Sequence, residues 1–182
     1  MFTIRKATSD DCKLINELAN QVFPATYKEI LSTEQLDYMM EWMYAPENIR
    51  KQMEEEGHVY FIAYQGDEPC GYVSVQPQDA DVFHLQKIYV LPGFQGAHLG
   101  SKLFDHAVQY IKEIHPSPCL MELNVNRNNK ALHFYEHKGM KNMQESMRKL
   151  QERQWRFTGR DTLPLVFSKT SCTLESKKCC PG

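Results

Sequence analysis

Leu85–Gln86–Lys87–Ile88–Tyr89–Val90–Leu91–Pro92–Gly93–Phe94–Gln95–Gly96–Ala97–His98–Leu99–Gly100–Ser101 is the stretch that decides the fold. It reads as a strand that passes through a short Gly-rich turn straight into a helix. Such a junction points several backbone N–H groups, and the positive end of a helix dipole, at one spot. A phosphate group suits that spot. The turn is not a Walker loop, because no Gly-Lys-Ser/Thr follows, and its glycines miss the dinucleotide spacing G-x-G-x-x-G.

Upstream of this stretch the period changes twice. Residues 2–6 have strand composition and lead into Thr8–Ser9–Asp10–Asp11, an N-cap with first-turn acids. Cys12, Ile15, Leu18, Ala19 and Val22 recur at helical spacing up to Phe23–Pro24, where the helix is expected to stop. A second helix follows Ser32–Thr33 with Leu36, Met39, Met40 and Met43 on one side, and Pro46 opens a third that ends at Gly57. Residues 59–64 and 71–76 are strand-like and flank a hairpin signal, Gln65–Gly66–Asp67–Glu68–Pro69.

Downstream, residues 99–114 form an amphipathic helix that stops before Pro116–Ser117–Pro118. Residues 119–125 are a strand, and 128–138 a helix closed by Gly139. The order strand, helices, three strands, helix, strand, helix is mixed α/β, with an antiparallel hairpin feeding a βαβ unit. No repeat or linker divides it.

Composition narrows the function. The chain has 182 residues, 42% hydrophobic and 24% charged, enough for one sizeable core. Lys and Arg number 21 against 23 Asp and Glu, so no overall basic field exists to hold nucleic acid. No apolar run approaches a membrane span, and the six cysteines show neither zinc spacing nor a secreted disulfide framework. No metal site is expected, and the cytoplasm is the expected compartment.

A second signature lies in register downstream of the turn. Asn128, Ala131, Phe134–Tyr135 and Gly139–Met140 form N-x-x-A-x-x-F-Y-x-x-x-G-M. Together with Q-x-x-x-x-G after I-Y-V, this resembles the GNAT superfamily of acyl-CoA-dependent N-acyltransferases. The likeness covers residues 2–142. It implies a mostly antiparallel, mixed central sheet flanked by helices. The domain is expected to span 1–169, although the chain from Gln144 onward departs from the family pattern, and the polar stretch 170–182 is expected to be a tail without fixed structure. It implies acetyl-coenzyme A as cofactor and a direct transfer to a primary amine. Related enzymes are often dimers, so a homodimer is an open possibility.

By the same resemblance, backbone groups of Ile88, Tyr89 and Val90 pair with the pantetheine arm. Gln95, Gly96, Ala97, His98, Leu99, Gly100 and Ser101 take the diphosphate. Asn126 and Asn128 add contacts to the coenzyme, and Asn128 caps the last helix. One residue departs from the family: His98 stands where the turn normally has its middle glycine. Its Cβ crowds the diphosphate or forces a left-handed backbone, which histidine tolerates better than branched residues do. Coenzyme A is still expected to bind, less tightly.

Tyr135 matches the family tyrosine that protonates the leaving thiolate. His84 matches, by counting back from Val90, the position where histone acetyltransferases of the superfamily carry a glutamate, so it is the candidate base. Strand alternation puts His84, Gln86, Ile88 and Val90 on one face. For the acceptor, Phe23, Tyr27, Asp37 and Tyr38 resemble a pattern of the bacterial spermine/spermidine N-acetyltransferases, which favours a polyamine-like small molecule. Glu34, Glu41 and Trp42 add carboxylates and an aromatic face for its cationic groups. Rival readings are a non-catalytic acyl-CoA-binding regulator, a transferase acting on a protein or peptide amine, and an interaction module using the basic stretch 147–156. In the tail, residues 163–167 are the one clear strand candidate.

Overall fold

The computed structural model describes residues 1–126, 129–142 and 162–168. Its strands are β1 (Phe2–Lys6), β2 (Val59–Gln65), β3 (Glu68–Asp79), β4 (Val82–Val90), β5 (Leu120–Asn126), β6 (Lys141–Asn142) and β7 (Thr162–Ser168). They form one sheet in the order β1-β2-β3-β4-β5-β7-β6. Every pairing is antiparallel except β4 with β5, which the crossover helix makes parallel. The expected strand in the tail is β7, seated against β5. The remainder of the tail, including 147–156 and 170–182, lies outside the described residues.

The helices are α1 (Cys12–Tyr27), α2 (Thr33–Tyr44), α3 (Pro46–Glu54), α4 (Leu99–Ile114) and α5 (Leu132–His137). Each face of the sheet has its own core. On one face Ile15, Leu18, Val22 and Phe23 of α1 pack with Tyr44, Ile49, Tyr60, Ile62 and Tyr72. On the other, Leu103, Phe104 and Ile111 of α4 pack with Phe61, Val73, Val75, Phe83 and Leu123. β2 and β3 are buried on both faces and supply both cores, since successive side chains leave opposite faces. Among the described residues no helix is long and apolar enough to cross a membrane.

Three local expectations are corrected. First, α1 does not stop at Phe23–Pro24 but continues to Tyr27. Pro24 cannot donate to the preceding turn, yet its carbonyl accepts from the Lys28 N–H at 2.9 Å, and the Thr26 hydroxyl donates to the Val22 carbonyl at 2.8 Å. Second, α5 starts at Leu132. The Asn129 Oδ1 accepts the Ala131 N–H at 2.9 Å just ahead of it, while Asn128 lies outside the described residues.

The third correction shapes the site. Ser74 pairs with Lys87 but Val75 pairs with Leu85, so Gln86 is an extra residue, a β-bulge, in β4. One added residue reverses the alternation beyond it. His84, Gln86, Ile88 and Val90 therefore do not share a face. Ile88 and Val90 pack with Phe83 and Leu85 on the α4 side, whereas Lys87 and Tyr89 turn toward the tyrosines beneath α1 and α2.

Candidate active site

The parallel ladder between β4 and β5 is short. Val82, Phe83 and His84 pair with Leu120, Met121 and Glu122, and the two strands then part. From Leu85 onward β4 keeps its antiparallel partner β3 on one side and, among the described residues, has no ladder partner on the other. A wedge thus opens toward the C-terminal ends of both strands. It forms part of a cavity of about 900 Å³ whose lining includes residues 85–90 and 123–125.

The turn after β4 closes one end of this cavity. Gln95, Gly96, His98, Leu99, Gly100 and Ser101 line it, and Ala97 does not. Gly96 has φ +85° and His98 has φ 57°, so two residues of the turn are left-handed. His98 is the N-cap of α4, with its carbonyl taking the Lys102 N–H. Among the described residues, the backbone N–H groups of residues 96–101 find no acceptor. Six consecutive donors at the start of a 16-residue helix make an anion cradle. No Cβ at Gly96 would meet anything within 4 Å, so the cradle is open. These features fit a diphosphate, and the unpaired edge of β4 fits an extended arm laid alongside it.

Two tyrosines and an asparagine converge on the same space. The Tyr27 and Tyr89 hydroxyls lie 3.3 Å apart, and Asn129 Nδ2 donates to the Tyr27 hydroxyl at 3.5 Å. Tyr135 lines the cavity from α5, its ring 5.2 Å from that of Phe134. Burial pushes the Tyr135 phenol well above the ordinary tyrosine range, so it keeps its proton at any working pH. Burial does the same to Tyr89.

His84 occupies the apex of the wedge, at the last paired position of β4. It is not among the cavity-lining residues; Leu85, Gln86 and Lys87 are. Its Nδ1 lies 3.4 Å from Oε1 of Glu122, its partner across the parallel ladder. An ionised carboxylate can only accept, so in the neutral imidazole this contact favours the tautomer with its proton on Nδ1 and its lone pair on Nε2. Glu122 was not legible in the sequence, because parallel register across a crossover carries no local signal.

The four acceptor candidates separate. Tyr27 lines the cavity. Phe23 is buried one turn earlier in α1, packed on Tyr27, Tyr44 and Tyr89. Asp37 and Tyr38 are exposed on α2 and do not line the cavity. Among the described residues Glu29 is the carboxylate that does, and Lys87 and Lys130 also line the cavity. Asn126 ends β5, and its side chain lies outside the description.

Residues 27–153 match the family model described as an acetyltransferase (GNAT) domain. The chain is 28% identical over 92 residues to the Uncharacterized N-acetyltransferase YjgM of Escherichia coli strain K12, a match covering 49% of this chain and about half, 54%, of that relative. Among solved structures it resembles the PaiA N-acetyltransferase of Thermoplasma acidophilum, crystallised with coenzyme A. That likeness has a TM-score of 0.75 and 19% identity over 91% of this chain and 98% of the other. It also resembles mutant forms of the spermidine/spermine N-acetyltransferase SpeG of Vibrio cholerae, with a TM-score of 0.60 and 19% identity over 94% and 96% of the two chains. The splayed β4–β5 pair and the donor-lined turn are thus features of a chain that belongs to the GNAT acetyltransferase family.

Proposed function

We propose that the protein transfers an acetyl group from acetyl-coenzyme A to a primary amine by direct attack in a ternary complex. The observation that carries this reading is the wedge itself, an unpaired strand edge ending in six free N–H donors. When bound, the cofactor supplies an activated acyl group on a thiol leaving group. In the transfer a C–N bond forms and the C–S bond breaks; the amine loses a proton and the sulfur gains one.

The chain's own groups divide these tasks. Backbone donors of residues 96–101 hold the diphosphate, and the open edge of Ile88, Tyr89 and Val90 aligns the arm. His84, held by Glu122 through Nδ1, takes the proton from the acceptor amine on Nε2 in its neutral form, directly or through one water. Tyr135 remains a phenol and donates a hydrogen bond toward the leaving sulfur. Among the described residues no cysteine lines the cavity, which supports direct transfer over a thiol-bound intermediate.

The acceptor is read as a small, polyamine-like amine. Glu29 and the Tyr27 and Tyr89 rings offer a carboxylate and aromatic surface at the cavity. Beyond the turn that follows, α2 carries Glu34, Asp37 and Glu41 and no basic residue. A panel of polyamines, amino acids and peptides incubated with acetyl-coenzyme A, read by free thiol, tests the proposal. Amine-dependent thiol release, greatest with polyamines, is expected. Thermal stabilisation by coenzyme A without thiol release would establish the non-catalytic regulator instead.

A further inference from the structure

We propose that Lys87 and Gln52 form a positioning pair that holds the β4 bulge, and with it the main chain of the donor slot, in working geometry. This rests on the acetyl-transfer reading and adds two residues that do not belong to the cofactor cradle or the acid–base pair.

The bulge is mechanically exposed. A strand normally draws rigidity from ladders on both sides, but β4 has given up its β5 ladder beyond His84 to leave the wedge open. The extra residue also interrupts the β3 ladder at the same place. Side chains replace what the ladders lack. Gln86 Nε2 donates to Gln76 Oε1 at 2.6 Å, and Gln76 Nε2 donates to the Glu56 carbonyl at 2.7 Å. Lys87 Nζ donates to Gln52 Oε1 at 2.8 Å, and Gln52 Nε2 donates to the Met43 carbonyl at 2.9 Å. Both Gln86 and Lys87 are thereby tied to the segment from Met43 in α2 to Glu56 just past α3.

The Lys87 tie is the costly one. Its Nζ sits 5.2 Å from the centre of the Tyr60 ring and 5.6 Å from that of Tyr44, and the residue is 8% exposed. The Tyr60 hydroxyl donates to the same Gln52 oxygen, so that oxygen takes two donors. Among the described residues no carboxylate reaches Nζ, and burial pushes the amine down to about 7. A methionine of similar shape would fill this place without the desolvation penalty. An amine here makes sense as an anchor, since it donates to Gln52 whether charged or neutral.

The test compares Lys87→Met, Gln52→Leu, their combination and Gln52→Glu with the wild type. Each disrupting single change is expected to lower kcat about tenfold or more, because small displacements of a reacting geometry are that costly. The Kd for coenzyme A rises by less than kcat falls, since the arm lies along residues 88–90 but the diphosphate cradle is separate. The double variant loses no more than the worse single one, as members of one unit do. Gln52→Glu keeps the acceptor for Lys87 but loses the donor to the Met43 carbonyl, so its turnover falls between the wild type and Gln52→Leu. Amide hydrogen exchange at residues 86–90 quickens in both single variants while that of β1 and β2 does not. Wild-type kcat in either single variant, multiplied losses in the double, or unchanged exchange at 86–90 would overturn the proposal. If the wild type itself releases no thiol, the transfer reading fails, and the exchange measurement still decides whether the pair holds the bulge.

Discussion

His98 carries the chain's departure from the usual turn, and its backbone shows how the departure is absorbed. It takes φ 57° and ψ 16°, the conformation a glycine would adopt, and leaves its side chain exposed at the cavity. A left-handed non-glycine residue costs roughly 1 kcal/mol. His98→Gly is therefore expected to raise unfolding stability by about 1 kcal/mol in a urea titration while leaving the N–H cradle able to bind coenzyme A. A destabilised variant would show that the imidazole makes a contact worth more than the strain. The proposed acid–base pair makes its own demand at this scale. His84→Ala should cut kcat by about a hundredfold, a usual contribution for a positioned base, and flatten the pH–rate profile. Tyr135→Phe should lower kcat with little change in coenzyme A affinity. Unaltered pH dependence in His84→Ala would remove the imidazole from the reaction.

At the scale of elements, β4 is held on its β3 side by a contact that leaves no slack. A Cβ on Gly71 would stand 2.6 Å from the Tyr89 carbonyl and 3.3 Å from Leu103 Cδ1. Gly71→Ala should thus destabilise the protein by about 1–3 kcal/mol, as overpacking does, and weaken coenzyme A binding by shifting Tyr89. Denaturation midpoints and calorimetric titration check both. The elements themselves were largely legible in the sequence. The spacing of Cys12, Ile15, Leu18, Ala19 and Val22 marks α1, and the run after Leu99 marks α4 as crossover helix. What escaped is non-local. The bulge at Gln86 is defined by its partner strand, so alternation alone put Ile88 and Val90 on the wrong face. The His84–Glu122 contact depends on parallel register, and the Lys87–Gln52 tie joins residues 35 positions apart. Asp37 and Tyr38 were read as acceptor groups from their resemblance to the spermine/spermidine N-acetyltransferase pattern, and neither lines the cavity.

For the molecule as a whole, two buried bases couple stability to pH. Burial lowers Lys87 from 10.5 to about 7 and His58 from 6.5 to about 4. In each case the unfolded chain takes up its proton at a higher pH than the folded one. Stability from Lys87 is therefore complete above about 10.5 and lost as pH falls to about 7, and that from His58 is lost between about 6.5 and 4. Unfolding free energy should rise from pH 7.5 to 9.5 by up to ~1.4 kcal/mol per pH unit more in the wild type than in Lys87→Met. Equal slopes would mean that Lys87 is not a suppressed base. The two cores and the mixed sheet that create this burial followed from the element order. The wedge between β4 and β5 did not, because it is a property of how two strands diverge.

The most direct measurement is amide chemical-shift mapping during a titration with coenzyme A. The expected result is a set of large, saturable shifts at residues 88–90 and 96–101, with Ile88 and Gly96 among them. Shifts confined to other parts of the sheet, or none at saturating ligand, would contradict the assignment of the wedge and its cradle as the cofactor site.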